Sequence, residues 1–323
     1  MIQVELKTIY EPIQPELQQV EQNLGAAIDE DIPILSELLD YVVRDGGKRI
    51  RPALTLFAGK FYHYDLDLLL PAATAMEFLH TATLVHDDIV DGSAKRRGKP
   101  TVNSVWGNTN AVLFGDYLFA KAANLMTSAG NIRVMNLMSQ AAAIIACSEL
   151  RHNAVPQDME RAREYYYEWI GNKTAVLFSV AAELGAILSR APEEAIQALK
   201  NYGYNFGMLF QITDDILDFI GDEAQLGKPL GSDLSRGILT LPTILLLERW
   251  PGDEVVKKAL GSSNDDDIAS AIDKVRNSFA VRDSFDAAFG FYSSACQSLK
   301  DLPDKRLCTH LVELANYAIQ RKW

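Results

Sequence analysis

From Glu16 to the C-terminus, apolar residues recur at three- and four-residue spacing, and no stretch alternates with period two for long. That spacing is the period of a helix face, so the chain is predicted to be all-α. Breaks are expected where glycine, asparagine and proline interrupt the pattern: Asp45-Gly46-Gly47, Gly92 to Asn108, Gly130-Asn131, Asn153 to Gln157, Gly221 to Gly237 and Gly261 to Asp266. They leave about ten helices or more. No polar linker separates two self-contained halves, so residues 1–323 are expected to form one domain.

One pattern occurs twice in this helical frame. His86-Asp87-Asp88-Ile89-Val90-Asp91 and Thr213-Asp214-Asp215-Ile216-Leu217-Asp218 share Asp-Asp-Ile-x-Asp, and each closes an apolar helical run. Residues i and i+4 lie on one helix face, which pairs the carboxylates of Asp87 with Asp91 and of Asp214 with Asp218. Like charges so placed repel unless a cation sits between them, and carboxylate oxygens suit a hard ion such as magnesium. A single copy would fit a solvated helix end about as well. Two copies, flanked by the apolar runs Leu79 to Val85 and Met208 to Ile212, favour bound cations, because uncompensated carboxylates near a core are costly.

Each cluster leads into a long loop rich in glycine and basic residues, Gly92 to Thr101 and Gly221 to Gly231. Ordered loops of that length often carry function. Net charge is -12, which argues against a nucleic-acid partner and requires local cations for any anionic ligand. Such cations are present: Lys48, Arg49 and Arg51 follow Gly46-Gly47, Arg96 and Arg97 follow the first cluster, Lys173-Thr174 lies in a helical stretch, and Lys228 follows the second cluster. Arginine forks match phosphate oxygens, and lysine supplies a point charge. No nucleotide-binding P-loop occurs. His80 lies two turns before Asp87, where spacing fits a ligand and a core histidine equally well.

Apolar residues make up 48% of the chain, enough to build a large core. The longest apolar runs, such as Ile238 to Leu247 with Pro242 inside, fall short of the roughly 20 residues that span a bilayer. Neither a signal nor a transit peptide is read at the N-terminus, so a cytoplasmic protein is expected. Cys147, Cys296 and Cys308 have no metal-ligand spacing and are given no chemistry.

Gly46 to Pro52, Phe78 to Thr101, Gly171 to Ala175, Gly207 to Phe219 and Leu226 to Leu234 together resemble the trans-type isoprenyl diphosphate synthases, the polyprenyl synthetase family, and the likeness runs nearly end to end. The resemblance implies an isoprenoid synthase fold, with the helices around a central cavity. It implies that Asp87, Asp91 and Asp214 hold magnesium, about three ions per site, with Asp88, Asp215 and Asp218 in support. Arg96, Lys173, Thr174, Gln211 and Lys228 would bind the allylic diphosphate, and Lys48, Arg51, His80 and Arg97 the diphosphate of isopentenyl diphosphate. Asp87, Asp91, Arg96, Lys173, Asp214 and Lys228 would carry catalysis. Arg321 and Lys322 resemble a basic tail that closes over the site.

By the same resemblance, the allylic C1–O bond ionises, the isopentenyl double bond attacks, and a proton leaves to give an all-trans product. The family often carries lysine in a Gly-Lys-x-Thr segment, whereas here it reads Gly237-Ile238-Leu239-Thr240, so that phosphate contact is not carried over and altered binding without loss of activity is expected. Short-chain members resembling this one carry an aromatic residue near position 82. Ala82 and Thr83 lie roughly 6 to 8 Å from Asp87 along the helix and leave the path open, which predicts a long-chain product from farnesyl or geranylgeranyl diphosphate. Closure lower down by Phe78, Phe119 or Met126 would give a geranylgeranyl product. A non-catalytic regulatory subunit and a terpene cyclase are the alternatives of other kinds. Whole clusters argue against the first, and Gly46 to Pro52 with Arg97 against the second. A homodimer is expected from the family, with loose membrane association left open.

Overall fold

The computed structural model describes residues 5–27, 32–43, 46–154, 159–223 and 229–321. The first half holds α1 (Leu6–Ile9), α2 (Gln14–Ala26), α3 (Pro33–Val43), α4 (Ile50–Lys60), α5 (Leu66–Val90), α6 (Val102–Thr127) and α7 (Ile132–Ala154). The second half holds α8 (Ala162–Ile170), α9 (Val176–Leu188), α10 (Glu193–Ile220), α11 (Ser232–Ser235), α12 (Leu241–Arg249), α13 (Glu254–Ala259), α14 (Asp265–Arg276), α15 (Phe279–Ser298) and α16 (Lys305–Gln320). The all-α expectation holds.

Helix starts follow local chemistry. The Asp65 side chain accepts from the amide of Asp67 to cap α5, and Asp304 accepts from Arg306 and Leu307 to cap α16. Helix α5 packs on α4, α6 and α9, and α10 packs on α9, α15 and α16, so α9 lies between the two helices that carry aspartate clusters. The approach of α10 to the chain before α9 depends on Gly207, where a Cβ would lie 2.5 Å from Cα of Ala175. Any side chain there would push the second cluster away. The core forms two apolar clusters, and α10 runs through both, with Tyr202, Phe206 and Leu209 in one and Ile212, Ile216 and Phe219 in the other.

Three features depart from the sequence reading. Inside the break expected at Gly92 to Asn108, Lys95–Arg96 and Lys99–Pro100 pair as short antiparallel strands β1 and β2, and helix resumes at Val102. Two-residue strands are too short for a period-two signal. Helix α6 then kinks at Gly107, whose φ of 81° lies outside the helical region. The stretch Gly171–Ala175 forms a single π turn between α8 and α9. Asp45 and parts of the breaks near 155 and 225 lie outside the described residues.

Leu66–Val90 and Met159–Leu188 are long and apolar enough to cross a membrane by length and composition. Counting uninterrupted runs overlooked both. Within the molecule 61% and 78% of their apolar 18-residue windows are buried, the burial expected of core helices in a bundle.

Candidate functional site

The two motif copies end their helices as expected, but their carboxylates divide into two kinds. Asp88, Asp215 and Asp218 are buried, whereas Asp87 and Asp214 are half-buried and Asp91 is exposed. Each buried one braces its surroundings. Asp88 receives Nε of Arg96 at 3.0 and 3.1 Å and Nη2 at 2.9 Å, which fixes the hairpin after the first cluster. Asp215 accepts from Tyr166 Oη at 2.6 Å and from Gln211 Nε2 at 2.8 Å, and burial pushes its carboxyl well above the usual range. Asp218 accepts from Ser232 Oγ at 2.8 Å and the amide of Asp233 at 3.1 Å, which anchors the turn before α11. The likeness of Asp218 to Asp91 in sequence thus ends at the backbone.

The less buried set faces cations. Asp91 Oδ2 receives Arg236 Nη1 at 2.8 Å, and Asp214 Oδ1 receives Arg321 Nη2 at 2.6 Å. Asp87 is pushed up to about 6, first by burial and then by Glu149 and Asp91, with Lys173 opposing. The π turn sets Lys173 against Glu149, Nζ to Oε2 2.7 Å, while Thr174 donates to Gln211 Oε1 at 2.9 Å. One turn of chain therefore touches the neighbourhoods of both clusters. Wider helical turns of this kind recur at functional sites.

The second cation group also assembles. Arg97, with φ 50°, donates from Nη1 to the carbonyl of Gly46 at 2.8 Å and so joins the Gly46–Lys48 segment to the first-cluster loop. Tyr10 Oη holds the Lys48 carbonyl at 2.8 Å. Burial, with Arg321 and Arg97 nearby, lowers Lys48 to about 7, while Asp214 pulls the other way. The Arg51 guanidinium lies 4.0 Å over the Phe178 ring, and its Nε is buried without a hydrogen-bond partner. Burial and the charges of Arg51, Arg97, Arg96 and Arg49 hold the His80 imidazole well below its usual range, hence neutral.

Lys228 and Lys322 lie outside the described residues. Ala82 is fully buried among apolar side chains, and the Thr83 hydroxyl donates to the His80 carbonyl at 2.7 Å. Phe78 and Met126 are buried in the same cluster, and Phe119 stacks on His86. Among the described residues, no three His, Cys, Asp or Glu side chains come close enough to hold an ion by themselves. Sequence reasoning missed Glu149, Tyr166 and Arg236. The first two carry no motif, and Arg236 lies past the second basic loop, within the break expected at Gly221 to Gly237.

A family model described as Polyprenyl synthetase matches residues 32–275. The chain is 35% identical over 324 residues to heptaprenyl diphosphate synthase component 2 of Geobacillus stearothermophilus, covering 99% of this chain and 100% of the relative. It is 34% identical over 297 residues to octaprenyl diphosphate synthase of Escherichia coli K12, covering 91% and 92%. A crystal structure of polyprenyl synthase from Caulobacter crescentus, complexed with calcium and isoprenyl diphosphate, superposes with a TM-score of 0.94 at 32% identity over 100% of each chain.

Proposed function

Because the chain belongs to the polyprenyl synthetase family, and so is a prenyltransferase, we propose that it condenses isopentenyl diphosphate head-to-tail with farnesyl or geranylgeranyl diphosphate into a long-chain all-trans polyprenyl diphosphate. The observation that carries this reading is the pair of aspartate clusters on α5 and α10, with Arg236 paired to Asp91, Arg321 to Asp214 and Lys173 near Asp87 in a chain of net charge -12.

The enzyme depends on divalent metal, and the residues fit one. The raised Asp87 carboxyl marks charge that the protein leaves undercompensated. Among the described residues, protein ligands alone do not close a cage, which suits magnesium, an ion usually held by one or two carboxylates plus substrate phosphate oxygens. Asp87, Asp91 and Asp214 would hold it, with about three ions per site. Bound there, such ions would supply positive charge to stabilise the departing diphosphate.

The chain's own residues divide the remaining work. Arg96, Lys173, Thr174, Gln211 and Lys228 bind the allylic diphosphate. Asp88 and Glu149 hold two of those cations in place until the anion arrives. Lys48, Arg51, His80 and Arg97 take the isopentenyl diphosphate; the buried Arg51 Nε has an unmet donor for it, and neutral His80 adds a hydrogen bond without further positive charge. The allyl cation is then attacked by the isopentenyl double bond, and the proton leaves to the released diphosphate. No protein nucleophile is required.

The product chain runs past Ala82, and hepta- and octaprenyl relatives support a long product. The enzyme acts in the cytoplasm as a homodimer, joined through α6 and α7, where Val112, Leu113, Ile144 and Leu150 are exposed large apolar side chains. A relative named as component 2 of a synthase supports a second reading, a subunit that needs a different chain.

Purified protein incubated with magnesium, isopentenyl diphosphate and farnesyl diphosphate is expected to give products several isoprene units longer than the primer. Extension by a single unit would contradict the long-chain assignment, and silence with every allylic primer would favour the dependent subunit.

A further inference from the structure

Ile238 stands where the family often carries lysine, so the turn after the second cluster lacks that cation. We propose that Arg236 fills that deficit: it is an additional diphosphate ligand, and in the metal-free enzyme its guanidinium occupies the position at Asp91 that a metal ion takes over. This inference rests on the prenyltransferase reading above.

The turn that carries Arg236 is fastened to the second cluster. Gly231 donates its amide to the Asp218 carbonyl at 2.8 Å, and the Asp218 carboxylate takes Ser232 Oγ and the Asp233 amide. The turn folds back through the amide of Gly237 to the carbonyl of Leu234 at 2.9 Å, with Gly237 at φ 74°. The amide of Ile238 reaches the carbonyl of Asp233, also at 2.9 Å, so positions 236 and 238 stand on one tight turn. From it Arg236 spans the site. Nη2 is held by Asp233 Oδ1 at 2.7 Å, and Nη1 reaches Asp91 Oδ2 of the first cluster at 2.8 Å. The side chain keeps 38% of its exposure, so a soluble anion can reach it.

Asp91 Oδ2 cannot serve the guanidinium and a metal ion in full at once. An ion arriving at Asp91 releases Nη1, while Asp233 still holds Nη2. The freed edge of the fork then lies beside whatever anion the ion brings, and a guanidinium pairs well with phosphate oxygens. A lysine at 238 would place its charge from the same turn, but without a claim on Asp91.

The signature is a pair of opposite shifts. In Arg236→Ala, manganese alone, titrated as a probe ion, should bind several-fold more tightly because its competitor at Asp91 is gone. Inorganic diphosphate, titrated with magnesium saturating, should bind roughly ten- to hundredfold more weakly, the loss expected for a hydrogen bond to a charged group. Arg236→Gln, which retains a donor toward Asp233, should show both shifts with the turn preserved. Adding Ile238→Lys to either variant should recover most of the diphosphate affinity and leave manganese binding tight.

A parallel loss of both affinities would make Arg236 a structural brace and overturn the proposal. Diphosphate affinity within twofold of the parent, or no recovery with Ile238→Lys, would overturn it as well. Wild-type protein that binds diphosphate with metal while Arg236→Ala binds it equally well would defeat this inference alone. Wild-type protein with no metal-dependent diphosphate binding would defeat the prenyltransferase reading too.

Discussion

Asp214 and Asp218 stand one helical turn apart, yet their surroundings give them different work. Asp218 is fully buried and accepts from Ser232 and the amide of Asp233, so its loss removes the anchor of a partly buried turn. Asp218→Ala is expected to lower stability by about 1–3 kcal/mol in denaturant titration, and an unchanged midpoint would contradict that role. Asp214→Asn keeps an oxygen for the buried Arg321 but removes the charge of that ion pair, so the midpoint should fall too, while condensation falls far more steeply than stability alone accounts for. Lys48 gives a test in pH. Burial lowers it to about 7, so above that pH the free enzyme carries it neutral, and an arriving diphosphate favours the charged form. Binding of isopentenyl diphosphate at pH 8 should therefore take up a proton, read by calorimetry in buffers of different ionisation heat. Lys48→Met should abolish the uptake, and no uptake in the parent would show that Lys48 does not meet the ligand.

At the scale of elements, the sequence made the helices and the ends of α5 and α10 legible, because helical period and clustered like charge are local signals. What it hid was contact between distant segments. Arg236 and Asp91 meet from two loops that no pattern connects, and Lys173 meets Glu149 across α7 and the π turn. The internal echo also overstated symmetry: Asp91 is exposed and paired with an arginine, whereas its counterpart Asp218 is a buried anchor, and only the fold distinguishes them. Helix α5 joins the first cluster to the proposed product path in one rigid piece. Ala82→Phe, one turn and a little more before Asp87, should therefore shorten the main product by about one isoprene unit or more, measured by chain-length analysis. An unchanged product would remove this turn from the path.

The whole molecule leaves apolar surface on its outer helices. Leu113 and Leu150 are 62% and 72% exposed on α6 and α7, the surface proposed above to join two copies. Light scattering should find a homodimer, and Leu113→Glu with Leu150→Glu should convert it to monomer; a mass unaffected by both changes would place the interface elsewhere. If both aspartate clusters act on one diphosphate at one site, the condensation rates of Asp87→Asn, Asp214→Asn and the double variant will show it. Each single change is predicted to slow the reaction by about a hundred- to thousandfold, with the double variant hardly slower than either, because groups that act as a unit are not additive. Losses that multiply in the double variant, or a single variant that keeps the parent rate, would contradict a shared site.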